Sequence, residues 1–419
     1  MINSKAGHYG VIGVLLVVVA GPAGCNKKTE LPAQEAVSLD EVFAADAAGY
    51  FTQALREYKF DFPRDHAAHP DFRQEWWYFT GNIQSEENHR YGYELTVFRF
   101  ALTPPKHEVS TSNFTASNTA SSPVKVSDWR AGHIYMAHFS LTDIDNNKFY
   151  HAERFSRDAK GLAGAGIFNK ERLEGDSIRL QVWLDDWSIE STGDTVFPVR
   201  LSAAGDGFSI ALVLNPAKPV VLQGNNGLST KGVKPGNASY YYSITRLTTE
   251  GSVIVGNQRT MVSGHSWFDR EWSTSRLEPG QEGWDWFALQ LDDNRDIVIY
   301  SLRREDGSLD LNSAGTIVDE DGNPRKLAAN EFNIEVLRQW RSPRTNILYP
   351  SGWKISIPSM SLELQITPAI ADQEMNTTIR YWEGAVKVSG KYKDSNVIVT
   401  GKGYVELAGY KAQSNSPGD

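Results

Sequence analysis

Apolar and polar residues alternate over short runs along most of this chain. The period is two rather than 3.6, which predicts strands. Tyr93, Leu95 and Val97 alternate with Glu94 and Thr96. The pattern then crosses over: Arg99 falls on the apolar face, and Phe98 and Phe100 fall on the other. That predicts either a bulge or a strand end buried on both faces. Residues 180–184, 208–214, 297–302 and 397–407 also read as strands. Asp206-Gly207, Asp306-Gly307 and Asp321-Gly322 mark turns between runs. Helical periodicity is scarce, and its best stretch is 41–58. Many short strands with frequent turns predict an all-β sandwich or barrel, and 419 residues leave room for two. A glycine-rich segment over 223–239 divides the strand-rich region. The expected order is therefore a β-domain over 49–225, a joint over 226–239, a second β-domain over 240–410 and a short disordered tail, 411–419.

The first residues read as an export signal. Lys5 precedes an apolar run, Val11 to Ala20, of h-region length and too short to be taken as a membrane span. The one cysteine, Cys25, follows Pro22-Ala23-Gly24, small residues that resemble a bacterial lipobox with proline where leucine is usual. The expectation is a leader over 1–24, an acylated Cys25 and a polar tether over 25–48. That places the protein in the cell envelope, lipid-anchored on the periplasmic side. A single cysteine at this boundary leaves no disulfide in the folded part. Residues 108–123, rich in Ser, Thr and Asn, predict a long surface loop.

Net charge is −9 with no basic stripe, which argues against nucleic acid as a partner. The 12 Trp, 17 Tyr and 18 Phe favour strands and aromatic-lined cavities. The densest chemistry lies in His265-Ser266-Trp267-Phe268-Asp269-Arg270-Glu271-Trp272. On a strand, His265, Trp267, Asp269 and Glu271 share one face, and Ser266, Phe268, Arg270 and Trp272 the other. No phosphate loop or dinucleotide fingerprint occurs, and no cofactor is expected. The pairs His66/His69 and His133/His138 lack a third ligand at a recognisable spacing, so no metal is expected. Gly264-His265-Ser266-Trp267-Phe268 begins a serine-hydrolase elbow but ends in Phe and sits inside a strand, so no serine hydrolase is read here.

Four further segments carry a resemblance. They are His69-Pro70 followed by Glu75-Trp76-Trp77-Tyr78-Phe79-Thr80-Gly81; the joint Gly227-Leu228-Ser229-Thr230-Lys231-Gly232 with Gly236-Asn237-Ala238-Ser239-Tyr240-Tyr241-Tyr242-Ser243; Gly283-Trp284-Asp285-Trp286-Phe287; and Tyr381-Trp382-Glu383-Gly384 with Gly401-Lys402-Gly403-Tyr404-Val405-Glu406. With the 265–272 strand, this order resembles the AttH and carotenoid 1,2-hydratase family of lipocalin-like secreted proteins over about 60–410. The resemblance implies two lipocalin-like β-barrels or half-barrels packed together, and an apolar ligand. Relatives in that family hydrate a terminal double bond of acyclic carotenoids, or fold polyenes as pericyclases. Bacterial members are often found near lipoprotein-export ABC transporters.

Hydrating an alkene requires a proton donor, a cation-stabilising surface and a positioned water. A carboxylic acid in a dry aromatic pocket can donate, and indole faces stabilise a carbocation. Asp269 is the expected acid, with His265 and Glu271 beside it and Trp267, Trp284 and Trp286 as walls. Trp76, Tyr78 and Trp382 are further candidates for the ligand surface. Two alternatives stay open for 265–272: ligand lining without chemistry, and a structural ion-pair network of Asp269, Arg270 and Glu271. Glu75 is either a buried partner for an arginine, the role favoured, or a pocket acid. Glu383 has the same ambiguity. The function expected is binding of a long isoprenoid, polyene or lipid with acid-catalysed hydration or isomerisation. The alternative is a non-catalytic carrier serving an ABC-transporter permease.

Overall fold

The alternation seen in the sequence becomes two twisted antiparallel sheets in the computed structural model, which describes residues 50–104, 131–172, 175–275, 277–395 and 397–412. The expected leader, Cys25, the tether, the 108–123 loop and all but two residues of the tail lie outside them. The first sheet has 13 strands: β1 (Gln74–Gln84), β2 (Arg90–Ala101), β3 (His133–Asp143), β4 (Lys148–Arg157), β5 (Ala163–Arg172), β6 (Gly175–Leu184), β7 (Trp187–Ser191), β8 (Val199–Gly205), β9 (Phe208–Pro216), β10 (Val220–Leu222), β11 (Leu228–Thr230), β12 (Ala238–Val255) and β13 (Gln258–Ser273). The second has ten: β14 (Gln281–Leu291), β15 (Asp296–Arg304), β16 (Ala314–Val318), β17 (Pro324–Ala328), β18 (Asn333–Val336), then, past a separate β19–β20 ribbon (Gln339–Arg341, Leu348–Pro350), β21 (Trp353–Ile357), β22 (Leu362–Pro368), β23 (Glu374–Asn376), β24 (Arg380–Tyr392) and β25 (Ile398–Ala408). The first sheet curls into a nearly closed barrel and the second into a half-barrel, the lipocalin-like pair that the resemblance implied.

Each sheet buries one face on its own core. Trp77, Phe79, Phe268 and Trp272 fill the first, and Phe287, Trp353, Trp382 and Leu407 the second. Strands near the middle of both sheets are also buried on their other face, because the sheets pack against each other there. Trp267 and Tyr78 from the first sheet cluster with Trp286, Ala385 and Tyr404 from the second. This explains the crossover in β2. The strand pairs without a register shift with both neighbours, so there is no bulge, and it is buried on both faces.

Two expectations are corrected. Residues 50–58 form no helix but an irregular strap. Tyr58 and Phe60 dock against Tyr240 and Trp272, with ring centroids 4.8 Å and 5.6 Å apart, and this tertiary contact overrides a weak local pattern. The glycine-rich segment does not separate the sheets either. β12 and β13 follow it yet complete the first sheet by pairing with β9 and β1, so the change of sheet comes between Ser273 and Gln281. Glycine at 227 is needed locally: its φ is +92°, and a Cβ would lie 2.1 Å from the Phe60 ring of the strap.

The sheets approach closely where Gly92 on β2 meets Ala385 on β24. A Cβ on Gly92 would sit 2.5 Å from that of Ala385. Gly92→Val is therefore expected to push the sheets apart and cost about 1–3 kcal/mol, read as a lower urea midpoint. An unchanged midpoint would contradict this close approach.

Candidate functional site

The face of each sheet turned away from its own core carries the polar and aromatic residues that meet at the seam. On β13, Trp267, Asp269 and Glu271 face the second sheet, while Phe268 and Trp272 enter the first core. On β1, Trp76 and Tyr78 face the seam, and Glu75 and Trp77 point into the barrel. β14 contributes Trp284 and Trp286, β24 contributes Tyr381 and Glu383, and β25 contributes Glu406. Strict alternation thus aligns side chains from these five strands along the seam, where β2, β12 and β15 add Phe98, Tyr241, Tyr300 and Leu302 to the lining of one cavity.

That cavity encloses about 150 Å³. A void of this size accommodates a ring-sized or branched end group rather than a long chain entire. Its walls are Trp76, Phe98, Trp284, Trp286, Tyr300 and Leu302, and its polar groups include Lys231, Asp269, Glu271 and Glu406. Asp269 is held by three donors: Ser243 Oγ and Tyr241 Oη, each at 2.5 Å, and Trp267 Nε1 at 2.7 Å. Burial raises its carboxyl to about 7 although these donors pull it down. Trp286 Nε1 donates in turn to Tyr241 Oη, at 3.3 Å. Burial raises Glu406 to about 8, opposed by a hydrogen bond from Trp284 and reinforced by the charges of Glu271 and Asp269. Glu406 thus keeps its proton at neutral pH, while Asp269 stands at the threshold of losing its own.

Lys231 Nζ lies 3.3 Å from Glu271 Oε1 and 4.2 Å from the Tyr300 ring centroid. Burial alone would depress its ammonium, but the charge of Glu271, with Tyr300 beside it, raises it above the ordinary value. Glu271 therefore belongs to an ion pair.

The remaining sequence candidates sort by strand position. Trp76, Tyr78, Trp284 and Trp286 line the cavity. Trp267 stands behind Asp269 as its donor. His265 does not reach the site. It lies four residues up the strand, roughly 13 Å away, exposed in a separate pocket with Arg246 and Lys402. Trp382 is not a ligand wall either. Its odd–even position turns it into the second core, where Nε1 donates to the Ala371 carbonyl at 2.9 Å. Arg270 points away from both acids and pairs with Glu75, which also accepts from Arg99, so Glu75 is the buried arginine partner. The four histidines of the two pairs separate: His66 meets Tyr242, His69 meets Glu75, His133 meets Asp158, and His138 meets Tyr381 and Glu153. Lys231, Tyr241, Tyr381 and Glu406 escaped the sequence reading as site residues. All four lie within or beside the quoted aromatic and glycine motifs; strand parity could have pointed to Tyr241 and Tyr381, but not to Lys231 or to the partners of Glu406.

A sequence profile described as AttH-like matches residues 53–410. No curated protein matches in sequence. Among solved structures, an AttH of Nitrosomonas europaea is 29% identical, with a TM-score of 0.69 over 86% of this chain and 100% of its own. Kievitone hydratase from Nectria haematococca is 16% identical, with a TM-score of 0.58 over 87% of this chain and 99% of its own, and shares the fold.

Proposed function

The chain belongs to the AttH-like family, and on that premise we propose that its seam cavity carries out acid-catalysed hydration or isomerisation of a double bond at the end of an apolar ligand. The observation that carries this reading is a pair of carboxyls, Glu406 and Asp269, in one aromatic cavity with protons held near neutral pH. Glu406 gives its proton to one alkene carbon, and the carbocation forms on the other, facing the indoles of Trp284 and Trp286. The oxygen of a water bonds to that carbon, and a water proton passes to Asp269. The sum adds H and OH with no change of oxidation state. Without water, the cation loses a neighbouring proton to Asp269 and the double bond moves. The hydratase on the same fold, and the shape of a cavity sized for an end group, support the reading. The lipid expected on Cys25 is the reason to look for this ligand among envelope lipids.

The acid must be protonated and the base ionised. Activity toward an acyclic isoprenoid alkene is thus expected to rise as pH increases through about 7 and to fall as it passes about 8. A kcat/KM profile climbing steadily beyond pH 9 would rule out a carboxylic acid as donor.

A further inference from the structure

Glu406 has two buried carboxyl neighbours that the reaction above does not use. Glu383 is its direct partner across the β24–β25 ladder, and Glu94 lies on β2. Both are 0% exposed. Glu383 accepts from Tyr78 Oη and Glu94 from Thr96 Oγ1, yet Oε2 of each lacks a hydrogen-bond partner among the described residues. A buried carboxyl with a bare oxygen is held in its protonated form. Burial, together with the cost of a second negative charge beside Glu406, raises both well above the ordinary carboxylate range. Neither has any surface of its own through which to gain or lose that proton.

Beside this cluster, a hydrogen-bonded line runs from Tyr381 through His138 to Glu153 at the surface. Tyr381 lines the cavity and sits two residues from Glu383 on the same face of β24. Burial and the cost of a further negative charge beside Glu94, Glu383 and Glu406 keep its hydroxyl protonated, and it donates to His138 Nδ1 in the tautomer that carries the ring proton on Nε2. His138 is wholly buried on β3. Its Nε2–H then donates to Glu153 Oε1, at 2.8 Å. The Glu153 side chain is 20% exposed, and the backbone N–H and hydroxyl of Thr378 fix it at 3.0 Å and 2.9 Å. Burial alone would raise Glu153, but the bonds from His138 and Thr378 hold it below its ordinary value, as suits a group that passes protons on.

We propose that Tyr381, His138 and Glu153 form a proton path that loads the buried carboxyls beside the cavity from solvent. The proposal rests on the acid reading of the cavity and adds its supply line. After Glu406 has donated, a proton from Glu383 or Glu94 makes good the loss. In the unloaded state His138 carries its proton on Nδ1, and the Tyr381 hydroxyl points at the carboxylate. Glu153 takes a proton from solvent and passes it to Nε2, Nδ1–H passes to the Tyr381 oxygen, and the tyrosine proton passes to the carboxylate. One net proton moves inward, and the proton positions left are those assigned above.

The test needs no substrate. The full chain is mixed from H2O into D2O while infrared spectroscopy follows the C=O stretch of protonated carboxyls. The component missing from Glu383→Gln is assigned to Glu383. Tyr381→Phe and Glu153→Gln are expected to slow its exchange roughly tenfold or more, with unchanged melting temperatures. Equal rates in wild type and variants would overturn the path and leave the acid reading standing. A wild-type spectrum with no protonated-carboxyl band would overturn both. If Tyr381→Phe does not fold, Glu153→Gln at the exposed end decides alone.

Discussion

Glu406→Gln is expected to lower kcat roughly 10²–10⁴-fold while ligand affinity changes little, because the amide keeps the shape and loses only the proton. The glutamine oxygen can still accept from Trp284, so the wall of the cavity should stay in place. Asp269→Asn is a less clean experiment. Its carboxyl accepts from Ser243, Tyr241 and Trp267, and an amide nitrogen in that position would face donors with a donor. A loss of activity in Asp269→Asn thus mixes chemistry with a local clash of hydrogen bonds. If Glu406→Gln turned over at the wild-type rate while Asp269→Asn was dead, the proton donor would be Asp269, as the sequence suggested.

The largest stability effect is expected at Glu75. It is 0% exposed and accepts from Arg99 and Arg270, while the His69 backbone N–H donates to both its oxygens at 3.0 and 3.1 Å. His69 stacks flat on Trp272 at 3.7 Å, and Arg270 lies 3.9 Å from the centroid of Trp77. Glu75→Ala leaves two guanidiniums in the barrel without their counter-charge, and a loss of about 3–5 kcal/mol should follow, measured by urea unfolding. Burial alone would raise the Glu75 carboxyl, but the two arginines hold it well below its ordinary value of 4.5. The sign is that of a depressed acid. Its stabilisation is complete above about pH 4.5 and is lost as pH falls through the folded value, so the variant should lose that part of its acid sensitivity. A variant as stable as wild type would mean that the network contributes nothing net.

The fold was legible because period-two alternation is a local property. The faces assigned to 265–272 hold: Asp269 and Glu271 look into the seam, and Phe268 and Trp272 into the core. The site was legible only in part, because parity assigns a face and not a position along the strand. His265 shares the face of Asp269 yet ends in another pocket. Trp382 sits in a motif with Tyr381 and Glu383 but has the opposite parity, and the core takes it. Glu406 was hidden for a different reason. Its role depends on lying across a ladder from Trp286 and Glu383, pairings that join segments more than a hundred residues apart or bring two strands into one register. Lys231 reaches the cavity from the end of the short strand β11, where no periodicity marks it. The strap over 50–58 misled because its aromatics serve distant rings rather than a helix face.

The central claim is that water is added to, or a double bond shifted in, an apolar ligand at the seam. The most direct measurement is to incubate the purified protein with an apolar lipid extract of its source cells in ¹⁸O-labelled water and to compare wild type with Glu406→Gln by mass spectrometry. Reaction at the seam predicts an apolar compound that gains labelled oxygen, or an isomer of unchanged mass, with wild type and not with the variant. A ligand that binds tightly and is recovered unchanged from both would contradict it and leave a cavity that carries its cargo without reacting.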